Sequence, residues 1–295
     1  MGAVARLPLA VSGPPLCGSV LGGIPSATQL VPRPRFMANA AYHSIVFGPV
    51  KSRRLGVSLG VNPTPTSREV CPPSCVFCQK GTADSVPILP RANQLPSAGV
   101  IVTSAARRII EMQRAGDKLE SVTIVGNQDP TMHPNLLEIA ENLRDLRNKW
   151  FPKADLSLIS DSNHLGSDEV RRALRVFDRP ILRFEWGTQK QFTSMTGRAA
   201  AEYKQVCEAL TVLDRLVIQA RFGPQNSAEA DVKVWAKKVE ELRPKEIHIL
   251  SSEPAGKKGS KAKGLTNAKL EELAVGLSEN SGIPTTVFHL ETQPA

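Results

Sequence analysis

At 295 residues the chain is long enough for one large domain or two small ones, and its 41% apolar composition is that of an ordinary soluble globular protein. No apolar run approaches the roughly 20 residues needed to span a bilayer, which argues against a helical membrane protein and against a membrane partner. The formal charge of +9 invites a nucleic-acid reading, but seven of the 37 bases and no acid fall in residues 1–68, leaving 30 bases against 28 acids in the rest. A near-neutral body behind a basic head is not the broad cationic surface that binding many phosphates requires.

Residues 1–41 are rich in Gly, Pro, Ala and Ser without periodicity, which predicts a disordered N-terminal head. An Arg-bearing, acid-poor head also fits a transit peptide. Met37, just ahead of the ordered pattern, points instead to an over-extended start, so removal of residues 1–36 is expected to leave the remainder folded. The folded domain is expected over residues 42–295. Within it, apolar β-rich runs occur at 44–48, 55–61, 121–125, 156–160, 181–186, 216–222, 246–250 and 285–289. Segments with helical spacing occur at 98–115, 135–149, 167–177, 200–213, 228–242 and 267–280. Pro134 precedes the second helix, and Ser167 followed by Asp168 and Glu169 reads as an N-cap with first-turn acids. Strand–helix alternation predicts an α/β protein with a parallel sheet and helical crossovers. About six such units suit a partial or complete (β/α) barrel, with a doubly wound sheet as the alternative. The basic stretch 257–263 reads as a solvated loop.

Three of the five cysteines fall in the segment Cys71-Pro-Pro-Ser-Cys75-Val-Phe-Cys78, after the apolar run 55–61. This is no disulfide framework; it points to metal binding in a reducing, cytoplasmic compartment. Cys17 and Cys207 read as free or buried thiols. Three clustered thiolates can ligate three irons of a 4Fe-4S cubane and leave the fourth iron open for a cofactor. On spacing alone a structural zinc site completed by His43 or His133 also stands. That would make the chain a non-enzymatic metal-binding or redox-sensing module.

Cys-x-x-x-Cys-x-aromatic-Cys, with Phe77 at the aromatic place, resembles the signature of the radical S-adenosylmethionine (SAM) superfamily. The stretch Gly48-Pro-Val-Lys-Ser-Arg-Arg-Leu-Gly-Val-Ser-Leu-Gly60 is similar to the entry segment of its wyosine-synthase-like branch, as is Gly126-Asn-Gln-Asp-Pro-Thr-Met-His-Pro134 to the branch's Gly-x-Gly-Glu-Pro-Thr-Leu-His-Pro. Thr188 to Gly197 and Asn226 also fall in family-like places. The resemblance implies a partial (β/α) barrel of about six parallel strands. It implies a 4Fe-4S cluster on Cys71, Cys75 and Cys78, and S-adenosyl-L-methionine split to a 5′-deoxyadenosyl radical that abstracts hydrogen. It further implies that Gly126, Asn127, Gln128 and Asp129 meet the methionine end, that Ser160 and Asp161 meet the ribose, that Phe77 lies beside adenine, and that Glu185 and Asn226 complete the site. Each of these follows a strand-like run, as barrel chemistry demands. Asp129 stands where the family commonly has Glu, and Gln128 where it has Gly. Arg53 and Arg54 are expected near the cluster, balancing its negative charge, and His133 is expected to mark a helix entry. The implied partners are a one-electron reductant of flavodoxin or ferredoxin type and an unassigned substrate, with RNA, through tRNA base modification, the class nearest the resemblance. Wyosine synthesis itself is disfavoured because the remaining cysteines, Cys17 and Cys207, are too few for a second cluster.

Overall fold

The computed structural model describes residues 44–65, 95–126, 128–162, 164–223, 225–251 and 265–289, all within one compact unit, Arg35–Ala295. The basic head, the cysteine segment with Phe77, Asn127 and the basic stretch 257–263 lie outside the described residues.

The sheet runs β1 (Val46–Ser52), β2 (Gly56–Val61), β3 (Ser121–Ile124), β4 (Asp155–Ser160), β5 (Arg179–Arg183), β6 (Val217–Phe222), β7 (Glu246–Ser251) and β8 (Thr285–Phe288), and its spatial order is the sequence order. β1 pairs antiparallel with β2, and every later pair is parallel. A doubly wound sheet needs a point at which strand order reverses; none exists among the described strands, so the barrel reading holds and the alternative falls. The sheet is open and curled, a half-barrel. The crossovers carry α1 (Ala98–Ala115), α2 (Leu136–Trp150), α3 (Asp168–Leu174), α4 (Gln189–Thr196), α5 (Ala200–Thr211), α6 (Glu229–Leu242) and α7 (Asn267–Ser281). The expected six strand–helix units generate seven parallel strands, because β8 follows the last helix, and β1 adds the antiparallel edge.

The helix termini follow local chemistry. Ser97 caps α1 by accepting from the Val100 amide, and Gly116 closes it at φ 74°, where a side chain would be strained. Ser167 caps α3 through the Val170 amide, as the sequence pattern predicts. Arg147 of α2 is anchored twice, donating to the Ala154 carbonyl at 2.7 Å and pairing with Asp178 at 2.8 Å. Asp178 in turn accepts from the Leu156 amide, which fixes α2 against the start of β4.

Strand alternation divides the sheet into two unlike faces. Leu59, Val122, Ile124, Leu156, Leu158, Leu182, Phe184, Ile218, Ala220, Ile247 and Ile249 belong to one large apolar cluster shared with the helices. The intervening residues point the other way. They include Ser58, Thr123, Ser157, Arg183, Gln219 and His248, with a small separate apolar group of Leu55, Ile181, Val217 and Ile159. Parallel strands buried on both faces normally read as continuous apolar runs; here the concave face is polar. No helix among the described residues is long and apolar enough to cross a membrane.

Candidate active site

Because β2 to β8 are parallel, their C-terminal ends share one edge of the sheet, and the sequence-selected residues gather along it. Gly126 follows β3 in a cradle with no room for a side chain. A Cβ there would meet Thr64 Oγ1 at 2.4 Å, and both Asn62 Oδ1 and the Gln128 carbonyl at 2.8 Å. The cradle is self-bonded: Thr64 N donates to Asn62 Oδ1 at 3.0 Å and Thr64 Oγ1 donates to the Gln128 carbonyl at 3.2 Å. Gln128 and Asp129 are both buried.

Asp129 opens a short 3-10 turn, Pro130–Met132, and its Oδ1 accepts from the Thr131 amide at 3.0 Å. Across the gap to β4, the Ser160 hydroxyl donates to Asp129 Oδ1 at 2.8 Å and lies 3.0 Å from Oδ2. The two residues that the resemblance assigns to neighbouring parts of one cofactor, its methionine end and its ribose, therefore touch each other. Ser160 Oγ also accepts from the Ser162 amide, and Ser162, fully buried at φ 62°, donates through its hydroxyl to the Arg183 carbonyl at 2.8 Å. A non-glycine residue held in the left-handed region is strained and concentrates at functional turns.

Glu185 leaves β5 between Phe184 and Trp186, both sunk in the helix-side core, so alternation drives its carboxylate to the concave side. It is 1% exposed and pairs with Arg183, whose Nε and Nη2 both reach Glu185 Oε2 at 2.7 Å. Burial pushes the Glu185 carboxyl up from its ordinary range, and the Arg183 and Arg221 charges pull against it. Its other oxygen accepts from the Arg221 amide at 3.1 Å. Asp161 lies at the rim, 3.7 Å from Arg183. The Asn226 side chain bonds the ends of β5 and β6, donating to the Glu185 and Arg221 carbonyls and accepting from the Gly223 amide.

Asp129, Ser160, Asp161, Glu185 and Asn226 are thus brought together by one chain of contacts, with Gly126 and Gln128 beside it. Asn127, Phe77 and the three cysteines lie outside the described residues. His133 marks a helix entry as expected: Nδ1 accepts from the Asn135 amide and Nε2 pairs with the Pro96 carbonyl, an arrangement that fixes the tautomer, while burial lowers its pKa. Arg54 reaches across to Gln219 of β6 and Arg53 donates to the His289 carbonyl; the cysteine segment they are expected to face lies outside the described residues. Asn62, Thr64, Ser162 and Arg183 escaped sequence reading. Only Arg183 carried a signal, its place two residues before Glu185 on the same strand face.

No family model matches the chain. A UPF0026 protein of Helicobacter pylori is 32% identical over 135 residues, 45% of this chain and 40% of the relative. A UPF0026 protein of Methanocaldococcus jannaschii is 33% identical over 46% of this chain and 38% of its own length. A third, from Synechocystis, is 30% identical over 50% and 51% respectively. These matches span about half or less of the length of the curated relatives. Among solved structures, a radical SAM methyltransferase from Sphaerobacter thermophilus superposes with a TM-score of 0.54 over 79% of this chain and 66% of its own, at 12% identity. Streptococcus suis SuiB bound to S-adenosylmethionine gives 0.53 over 74% and 48%, at 13% identity. The half-barrel is therefore the fold of these radical SAM enzymes.

Proposed function

We propose that the chain is a radical SAM enzyme in which Cys71, Cys75 and Cys78 hold a 4Fe-4S cluster and the loops after β3 to β6 hold S-adenosyl-L-methionine. One observation carries the reading. Residues selected from four separate strand ends are joined by hydrogen bonds along a single edge of a half-barrel, and the chain leaves β2 at that same edge on its way to Cys71.

The residues present fit the group chemically. Three thiolates satisfy three irons of a cubane and leave one for a chelating ligand. Asp129 supplies a carboxylate for an ammonium, and the absence of a side chain at Gly126 lets backbone carry a ligand contact where the cradle has no spare space. The bound cluster and cofactor together would supply an electron and a carbon radical able to take a hydrogen atom from a substrate.

The protein's own part is positioning and exclusion. Ser160 and the Thr131 amide hold the Asp129 carboxylate in one orientation, so its charge meets the ammonium without reorganisation. The Arg183–Glu185 pair and Asn226 lock the ends of β5 and β6 beside it. Ile159, Ile181 and Val217 form an apolar patch on the concave face that keeps water from a reactive intermediate. The likeness to the wyosine-synthase-like branch supports RNA as a substrate class, and a flavodoxin- or ferredoxin-like protein as the electron donor.

Anaerobic reconstitution tests the proposal. The expected result is about four irons per chain with a thiolate-to-iron charge-transfer band. With dithionite and S-adenosylmethionine, 5′-deoxyadenosine should form, and Cys75→Ser should abolish it. Stoichiometric zinc and no nucleoside product would overturn the reading.

A further inference from the structure

The N-terminal part of the concave face carries features that the cofactor loops do not use. Arg54, in the turn before β2, extends across the sheet to the Gln219 side chain of β6. Its electrostatic neighbours are Arg221, Arg179 and Arg53, all cations. The nearby carboxylates serve other arginines: Glu246 pairs with Arg179 at 2.7 Å, and Glu185 pairs with Arg183. Among the described residues no acid partners Arg54. Partial burial and the three like charges push its guanidinium down to about 10. A desolvated cation among cations is costly unless an anion joins it.

His248 of β7 supplies an independent observation. It is 2% exposed and packs edge-on against Phe288 with ring centroids 4.9 Å apart. Nε2 lies 3.1 Å from Glu246, yet Nδ1 is buried with no hydrogen-bond partner among the described residues. An orphaned buried polar atom beside an uncompensated guanidinium marks a place left for a ligand.

We propose that this floor of the half-barrel is a subsite for an oxyanionic group of the substrate, a phosphate or carboxylate gripped by Arg54 and Arg221, with His248 Nδ1 accepting a hydrogen bond from an adjacent hydroxyl or amine. The guanidinium fork matches either oxyanion in plane. Gln219, between Arg54 and Arg221 on the same strand face, orients the first and spaces it from the second. An anchor reaching from the turn before β2 across Gln219 to Arg221 on the concave face would hold one end of a substrate while its reacting carbon faces the cofactor loops. Assigning the oxyanion to the substrate rests on the radical reading; binding of the oxyanion does not.

The test is thermal unfolding of the full-length wild type, Arg54→Met and Arg54→Lys, each titrated with inorganic phosphate and, separately, with malonate. Wild type should show a saturable rise in Tm with at least one probe, and the tighter probe identifies the headgroup class. Arg54→Met should weaken half-saturation by about tenfold or more, with Arg54→Lys in between because it keeps charge without the fork. If Arg54→Met fails to fold, the lysine variant decides through the same half-saturation. Equal half-saturation in wild type and variants, or no saturation with either probe, would overturn the proposal. Formation of 5′-deoxyadenosine is followed in parallel on wild type. Saturable oxyanion binding without the nucleoside breaks the radical reading and leaves the subsite standing; the nucleoside without oxyanion binding breaks the subsite alone.

Discussion

The convex and concave faces of the sheet are built from the same strands and obey opposite rules. On the convex face nearly every inward side chain is aliphatic or aromatic, and edge-to-face pairs such as Trp186 with Phe192 and Phe222 with Trp235, each at 4.9 Å, fill the space behind the helices. Around the small apolar group of Ile159, Ile181 and Val217, the concave face carries serine, threonine, glutamine, histidine and arginine, with Ser58–Thr123 and Ser121–Ser157 hydroxyl pairs running across adjacent strands. One face stabilises the fold and the other lines the site proposed above, so damage to the two should be separable.

The sharpest break is expected on the convex side. Leu158→Ala deletes a fully buried side chain and should lower unfolding stability by about 2–5 kcal/mol, measured by urea denaturation. The folded fraction should keep its activity. Gly126→Ala should show the reverse. Its Cβ collides with Thr64 and Asn62, so the loop must shift, and 5′-deoxyadenosine formation should fall by about 100-fold, with Tm lowered less than in Leu158→Ala. Comparable losses of stability in both variants would erase the distinction between the faces.

A smaller effect belongs to His248. Burial, together with the Arg54 and Arg179 charges, lowers its pKa to about 4 against the pull of Glu246. The folded state therefore resists a proton that the unfolded chain accepts near pH 6.5. Stability from this group is fully present above that value and is lost as pH falls toward about 4. His248→Gln should remove on the order of 2 kcal/mol of the pH dependence between pH 7 and 4, read as the difference between the two stability profiles. The smallest effect is expected at Arg107, whose exposed pair with Glu111 lies on the outer side of α1; Arg107→Ala should leave the urea denaturation midpoint essentially unchanged.

Most strands and helices were legible because the convex face imposes a period. The buried positions of α1, Ala98, Ile101, Ala105, Ile109 and Met112, recur every three or four residues, and sequence and structure agree on its ends. α4 was not legible: two turns with only Phe192, Met195 and Thr196 buried leave too short a stripe to register. β1 was read only to residue 48, because the Gly48-Pro49 step interrupts the alternation and the register shifts between Phe47 and Val50. The site divides in the same manner. Asp129, Ser160 and Glu185 were marked by the family resemblance, with their places at or after apolar runs in agreement, but their bonds to one another depend on lateral strand neighbours, which local pattern does not encode. The Arg54–Gln219 contact spans 165 residues of sequence, and nothing in either segment announces the other.

Strand order that repeats chain order has a consequence for how the sheet is made. Each strand after β1 finds its partner in the strand that emerged just before it, one turn earlier for β2 and one crossover earlier for the rest. A nascent chain can therefore extend the sheet from one edge, unit by unit, without waiting for a distant segment. Among the described strands, β8 is the last to be synthesised and the last to be added.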